Sequence, residues 1–257
     1  MSEFTEVADR VWVARYEWYD VNVTVVEGEA GLLVVDTHAS LEAGRAVLAD
    51  LRRLSPRPLV AVVNTHEHFD HTFGNEAFLE EGAVPVIAHE TAAANMTASV
   101  PADTTFSSVT AVDLGDRAVE LVHPGRGHTG GDLVVRLGDA DVLLAGDLVE
   151  ESGMPAYGDD SYPLEWPWSL DLVLELVGPD TVVVPGHGAP VGREFVQDQR
   201  SAIGVVAQTI RDLAARGVPV DQALETTEWP YPKEHLADAV RRGYAHLPRS
   251  EKRLPLA

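Results

Sequence analysis

The sequence predicts an α/β protein in which helices cover mixed β-sheets. Short Val-rich runs typical of strands occur in both halves of the chain, and stretches with apolar residues at helical spacing lie between them. The run Leu59–Val63 is almost entirely apolar, as expected for a strand that is covered on both faces. A length of 257 residues allows one large domain or two small ones.

The first half of the chain alternates strand-like and helix-like segments. Gly28, Gly31 and the pair Ser55-Pro56 interrupt the apolar pattern and mark the ends of several segments. In chain order we predict strands Val11–Tyr16, Val21–Glu27 and Leu32–Asp36, helix Leu41–Leu54, strand Leu59–Val63, helix Thr72–Glu80, strand Val84–Ala88 and helix Glu90–Ser99.

The second half continues the alternation and then becomes helical. We predict strands Ala118–Leu121, Leu133–Leu137 and Val142–Ala145, helix Ser169–Val177, strand Thr181–Val184, and finally helices Glu194–Ala215, Asp221–Glu225 and Glu234–His246. Because no strand-like run follows Pro190, we divide the chain into a domain of residues 1–190 and a C-terminal helical extension of residues 191–257 packed on it.

Charge and cysteine content exclude several classes of function. Nineteen Lys and Arg against 41 Asp and Glu give a formal net charge of −22, which repels nucleic acid and anionic membranes. Without Cys, the chain has no disulfide, thiolate ligand or cysteine nucleophile. No apolar run is long enough to span a bilayer, and no signal-peptide pattern begins the chain. We expect a soluble cytoplasmic protein without nucleic-acid or membrane partners.

Four metal-binding residue types follow strand Leu59–Val63 within six positions. His66, His68, Asp70 and His71 lie at the carboxyl end of that strand, where α/β proteins place their sites. Imidazole nitrogens and carboxylate oxygens suit zinc, and also iron or manganese. Because four ligands this close would strain a single tetrahedral ion, two adjacent ions are the natural solution.

Three later positions supply further ligands. His128 lies in a Gly-rich turn, Asp147 follows the run Val142–Ala145, and His187 follows the run Thr181–Val184. Small residues beside each of them let the backbone approach closely. The predicted ligand sets are His66, His68 and His128 for one ion and Asp70, His71 and His187 for the other, with Asp147 bridging both.

The His-Glu-His-Phe-Asp-His run at residues 66–71, with its three later ligand positions in order, resembles the metallo-β-lactamase fold superfamily. The resemblance covers about Val11 to Pro190. It implies a four-layer αββα sandwich whose metals lie at one edge between the two sheets. It also implies that Asp36 supports a ligand histidine from outside the ligand set.

Cysteine-bearing β-lactamases have a Cys among the ligands of the second metal, and in cysteine-free β-lactamases the carboxylate position is not a metal-bridging Asp. The filled ligand set, with Asp147 and no Cys, is similar to that of glyoxalase II and the related lactonases. Glyoxalase II also has a helical C-terminal domain with basic residues for glutathione. The chain provides such residues only in part, through Arg241, Arg242, Arg249 and Arg253.

The resemblance implies a dinuclear metal-dependent hydrolase with two Zn²⁺ ions, with iron or manganese as other candidates. A metal-bound hydroxide would attack a small ester-like carbonyl substrate, which is a thioester, a lactone or an amide. Asp70 is the expected catalytic residue, binding one ion and orienting the nucleophile. The alternative, from a related branch, is a persulfide dioxygenase with one iron held by His66, His128 and Asp147.

Three further residues are candidates for substrate binding. Tyr157 and Trp166 lie in an aromatic, Pro-rich loop at residues 157–168, which either forms a lid or packs the following helix. His38 follows Asp36 at a strand end that should face the metals. The expected partner is a small-molecule substrate, and we expect any homodimer to form through the C-terminal helices.

Overall fold

Two β-layers lie face to face between two layers of helices in the computed structural model, which describes residues 4–248. Within this range the strands are β1 Thr5–Ala8, β2 Val11–Tyr16, β3 Val21–Gly28, β4 Gly31–Val35, β5 Leu59–Val63, β6 Val86–His89, β7 Thr104–Phe106, β8 Val109–Asp113, β9 Ala118–Val122, β10 Val134–Leu137, β11 Val142–Glu150 and β12 Val182–His187. The helices are α1 Leu41–Leu54, α2 Phe69–Thr72, α3 Asn75–Leu79, α4 Glu90–Asn95, α5 Trp166–Leu176, α6 Arg193–Ala215, α7 Val220–Thr226 and α8 Ala237–His246.

Each half of the chain forms one β-layer. The N-terminal layer has the order β7-β6-β5-β4-β3-β2-β1, and its central strands β4, β5 and β6 are parallel. The C-terminal layer has the order β12-β11-β10-β9-β8, and β11 and β12 are parallel. The two layers are connected through the antiparallel pair of His187 in β12 and Val21 in β3.

Strand residues alternate between the central core and the helices. In β4, Leu33 and Val35 lie in the core between the two β-layers, whereas Leu32 and Val34 belong to the core beneath α1 and α3. Because successive side chains point to opposite faces and both faces of β4 are buried, every residue of this strand has to be apolar or small.

The C-terminal helices cover the outer face of the second β-layer. Ile203 and Ile210 of α6 and Val240 of α8 share one core with Trp166 of α5 and Leu143 of β11. The extension is therefore packed on the strands that carry part of the site. The boundary at residue 190 stays a prediction, and residues 249–257, with Arg249 and Arg253, lie outside the described part of the chain.

The predicted elements differ from the observed ones mainly at edges and breaks. The predicted helix Thr72–Glu80 is wrong in extent, because the segment forms two short helices, α2 and α3, separated at residues 73 and 74. Gly74 packs so closely on the carbonyl oxygen of Thr37 that an added Cβ would lie 1.8 Å from it. Strands β1, β7 and β8 were not predicted, since they are short and carry exposed polar residues. None of the helices within residues 4–248 has both the length and the apolarity needed to cross a membrane.

Replacing Phe78 with Ala tests the packing of α3. Phe78 is fully buried in the core formed with Val47 and Leu51 of α1. We expect Phe78→Ala to lower the free energy of unfolding by about 3–5 kcal/mol, because it removes a buried ring and leaves a cavity. Denaturant titration measures the change. Phe69→Ala, at a residue that is 39% exposed, is the matched control and should cost less than about 1 kcal/mol; equal losses would contradict the packing described.

Candidate metal centre

The seven predicted ligands lie at strand ends and turns on one edge of the β-layers. His66, His68, Asp70 and His71 follow β5, and the last two are held in the short helix α2. His128 lies in the turn before β10. Asp147 lies within β11, next to an irregularity in its pairing with β12, and His187 ends β12. Because parallel strands end at the same edge of a sheet, these distant positions meet in space.

One group of ligands surrounds a common point on the β5 side. The ligand atoms of His66, His68, His128 and Asp147 all lie within 4.8 Å of one another. Nε2 of His128 is 2.9 Å from Nδ1 of His68 and 3.3 Å from Oδ2 of Asp147. Nε2 of His66 is 3.7 Å from the same carboxylate oxygen. The group therefore offers three imidazoles and one carboxylate.

A second group lies directly beside the first. The ligand atoms of Asp70, His71 and His187 also fall within 4.8 Å of one another. Nε2 of His187 is 3.3 Å from Nε2 of His71 and 3.5 Å from Oδ2 of Asp70. Asp147 contacts this group as well, with Oδ1 3.2 Å from His71 and Oδ2 3.3 Å from His187. Asp147 is thus the side chain common to both groups.

The ring nitrogen that faces away from the centre is fixed by a hydrogen bond in each of the five histidines. These partners are Oδ2 of Asp36 for His71 (2.8 Å), Oδ2 of Asp160 for His68 (2.8 Å), the carbonyl oxygen of Ala156 for His128 (2.9 Å), that of Tyr19 for His187 (2.8 Å) and Oγ1 of Thr65 for His66 (3.1 Å). Hydrogen bonds of this kind orient the rings and leave the inner nitrogen as a ligand. Asp36 therefore lies behind a ligand histidine, as the family resemblance implies.

Asp36 is held in a strained backbone conformation. Its φ is 64°, in the left-handed region, and such a residue costs about 1–3 kcal/mol. Its carboxylate accepts hydrogen bonds from the backbone nitrogen and the hydroxyl of Thr65, both at 2.8 Å, in addition to the bond to His71. Three hydrogen bonds to one buried carboxylate offset that cost and connect β4 to the loop after β5.

The donor set fits metal cations. Nε2 of His66 is buried and has no hydrogen-bond partner, and it points at the same group as Asp147. A buried nitrogen lone pair without a partner is costly, and a cation beside it removes that cost. Nitrogen and oxygen ligands without sulfur suit zinc, iron or manganese. The residues present therefore fit the metals that the sequence implied.

The charges of the site are strongly coupled. Burial alone would raise the pKa of Asp147, but the surrounding histidines, His71 and His187 foremost, lower it well below its ordinary value. Burial alone would lower the pKa of His187, but the nearby carboxylate of Asp147 outweighs this effect and raises this pKa to about 9. Burial lowers the pKa of His66 well below its ordinary value and that of His128 to about 4. Against the effect of burial, Asp147 also raises the pKa of His71 well above its ordinary value, and Asp160 raises that of His68.

A cavity of about 570 Å³ opens above the two groups. Asp70, His128 and Asp147 are among the residues that line it. Tyr157 also lines it and is buried, and its hydroxyl has no hydrogen-bond partner. The cavity has the size of a small-molecule site.

Neither Trp166 nor His38 lines this cavity. Trp166 is fully buried, donates from Nε1 to the carbonyl oxygen of Leu148 and packs 5.7 Å from the ring of His128. Its placement corrects the expectation of a substrate contact, because the indole fills the core beneath α5. His38 packs against Tyr16 and Trp18, and it lines a different cavity.

Two residues of the site were not singled out from the sequence. Asp160, which fixes His68, lies in the loop of residues 157–168, whose sequence signal is its aromatic residues. Glu150 lies within 4.8 Å of Asp147 and His187 and lines the cavity. Burial and the charge of Asp147 raise the pKa of Glu150 to about 7. It was missed because the predicted strand ended at Ala145, whereas β11 continues to Glu150.

The family model of the metallo-beta-lactamase superfamily matches residues 16–187, which contain all seven ligands. The chain belongs to the metallo-β-lactamase superfamily. Its structure is similar to that of a metallo-beta-lactamase from Pontibacter korlensis, with 26% identity, a TM-score of 0.71 and coverage of 79% of this chain and 99% of the other.

Curated relatives in this superfamily carry different activities in their names. A metallo-beta-lactamase type 2 of Bacillus cereus is 30% identical over 65% of this chain and 66% of its own length. A linear primary-alkylsulfatase of a Pseudomonas species is 28% identical over 83% of this chain and 50% of its own length. The alpha subunit of a 2,4-dinitroanisole O-demethylase of a Nocardioides species is 26% identical over 88% of this chain and 69% of its own length. The chain thus spans between half and about two thirds of these relatives.

Gly186 permits the close approach of Asp147. A Cβ at this position would lie 1.8 Å from Oδ1 of Asp147. We expect Gly186→Ala to displace the shared carboxylate and to weaken metal binding about 10-fold or more, the scale on which altered support of a metal ligand acts. Metal titration of stripped protein measures this loss. Gly153→Ala, where the added methyl group meets open space, is the control; unchanged metal affinity in Gly186→Ala would contradict the geometry.

Metal binding to the two ligand groups should release protons. Because the pKa of His187 is raised to about 9 in the metal-free protein, this histidine is protonated at pH 8 and must lose its proton to become a ligand. Calorimetric titration of stripped protein at pH 8, in buffers of different ionisation enthalpy, should show release of about one proton or more. His187→Asn should lower that number. Binding enthalpies that are equal in all buffers would refute the expectation.

Proposed function

We propose that the protein is a dinuclear, zinc-dependent hydrolase of a small ester-like carbonyl compound, namely a thioester, a lactone or an amide. The observation that carries the proposal is the pair of ligand groups that share Asp147 at a cavity of about 570 Å³. Membership of the metallo-β-lactamase superfamily supports it, because relatives of the chain are named as hydrolases of lactams and of sulfate esters.

Each ligand group is assigned to one ion. His66, His68 and His128 would hold the first, and Asp70, His71 and His187 the second, with Asp147 in contact with both. Bound ions of this kind supply a nucleophile from water near neutral pH and polarise a carbonyl group. No side-chain nucleophile is required, and the chain contains neither Cys nor a Gly-x-Ser-x-Gly motif.

Asp70 is the proposed acid–base residue. Its carboxylate lines the cavity, and Oδ2 lies 3.5 Å from Nε2 of His187 and 3.8 Å from Nε2 of His71. From this position it can accept a hydrogen bond from the attacking water, orient it toward the carbonyl carbon and receive its proton on the carboxylate oxygen that does not hold the ion. Asp36 and Asp160 position the histidines from behind and do not contact substrate.

Among the kinds of bond that the relatives' names suggest, the proposal takes the carbonyl bond. The Bacillus cereus relative aligns with 30% identity and is named for lactam cleavage, and a lactam is a cyclic amide. The fold alone does not name the bond, because the alkylsulfatase and O-demethylase relatives align over still more of the chain. A substrate panel should therefore include a β-lactam, an alkyl sulfate and an aryl methyl ether.

Substitution of Asp70 tests the mechanism. We expect metal-loaded wild-type protein to hydrolyse at least one thioester, lactone or amide, and to lose this activity on treatment with a chelator. Asp70→Asn should lower kcat about 10²- to 10⁴-fold, the usual contribution of a positioned acid–base group. Steady-state kinetics with metal content determined in parallel measures the effect.

Asp159→Asn is the matched control, since Asp159 is an exposed neighbour of Asp160 that belongs to neither ligand group. Full activity of Asp70→Asn would contradict the role assigned to Asp70. The alternative is tested with iron-loaded protein and a persulfide. If this protein consumes oxygen, and variants without His71 or His187 consume it equally well, the protein is a dioxygenase and the hydrolase proposal is wrong.

A further inference from the structure

We propose that Glu150 is a specificity-determining residue that excludes substrates with a carboxylate or another anionic group beside the scissile bond. The site would then take uncharged and amine-bearing esters. This inference rests on the hydrolase function proposed above and adds the substrate class to it.

The lining of the cavity is acidic beyond what the metal ligands require. Besides Asp70 and Asp147, three carboxylates line it, those of Glu150, Glu234 and Asp238. No Lys or Arg occurs among the lining residues in the described part of the chain. Away from ions held by the ligand groups, an anionic substrate group would find no Lys or Arg to pair with.

Glu150 is the buried member of this set. It is 8% exposed and ends β11 opposite His187 in β12. Its Oε1 accepts hydrogen bonds from the backbone nitrogen and the hydroxyl of Ser152, at 3.0 and 2.8 Å. Its backbone nitrogen donates to Oε1 of Gln199 at 3.1 Å. The carboxylate is therefore fixed beside the ligand groups, and turning it toward solvent would break its two hydrogen bonds with Ser152.

The arginines of α8 do not compensate for this charge. Arg241 donates to Oδ1 of Asp238 at 2.6 Å, and Arg242 donates to the carbonyl oxygen of Ser161 at 3.0 Å. Charges in a partly buried site interact strongly, because the effective dielectric constant is far below that of water. A carboxylate on the substrate is thus repelled by Glu150, whereas an amine is attracted. A β-lactam that carries a carboxylate beside its amide bond should therefore be a poor substrate.

The proposal is tested with three esters that share one leaving group. Their acyl groups are neutral in the first, carry a carboxylate in the second and carry an amine in the third. The measured quantity is the ratio of kcat/KM for the neutral ester to that for the carboxylate ester, at pH 8 and constant ionic strength. We expect a ratio of at least about tenfold in the wild type, and a fall of roughly five- to tenfold in Glu150→Gln. A ratio within one variant does not depend on the fraction of protein that has retained its metal.

Glu175→Gln is the matched control, because it removes the same charge from an exposed position on α5. The ratio should not change there, which separates a local effect of Glu150 from the net charge of −22. Glu150→Ala repeats the test should Glu150→Gln not fold. An unchanged ratio in the Glu150 variants, or equal rates on both esters in the wild type, overturns the specificity proposal and leaves the hydrolase intact. No hydrolysis of any of the three esters, nor of the thioester, lactone and amide panel, overturns both.

Discussion

The buried carboxylate of Asp147, placed between two groups of histidines, is the interaction on which the site depends. Its two oxygens lie within 3.7 Å of four imidazoles, and burying such a charge without compensation is expensive. Cations at the two ligand groups would supply that compensation. Gly186 leaves the space that Asp147 occupies, and the parallel pairing of β11 and β12 brings it beside His187.

The same contacts connect the site to the fold. His187 makes the strand pair with Val21 through which the two β-layers are joined, and its ring is fixed by the carbonyl oxygen of Tyr19. Asp36, in a left-handed conformation at the end of β4, joins the loop after β5 to His71. The ligands therefore lie where the two halves of the chain meet, so that the order of the site and the docking of the β-layers depend on each other.

Sequence patterns predict the buried parts of this structure better than its edges. Helix Leu41–Leu54 and strands Val11–Tyr16 and Leu59–Val63 have the predicted bounds, because burial imposes clear periodicity on them. The edge strands β7 and β8 lack such a pattern. The order and spacing of the His and Asp ligands in the sequence predict the metal centre. Asp160 and Glu150 reach the site through tertiary contacts, and their spacing in the sequence does not predict these contacts. Trp166 shows the converse, since an aromatic residue predicted to lie in a loop begins α5 and packs against His128 from the core.

The most direct test of this account is the number of metal ions per chain, in wild-type protein and in Asp147→Ala purified without added metal. Elemental analysis should give about two ions, predominantly zinc, for the wild type and a loss of both in the variant, because Asp147 contacts both ligand groups. One ion per chain in the wild type, or two ions retained without Asp147, would contradict a centre organised around this shared carboxylate.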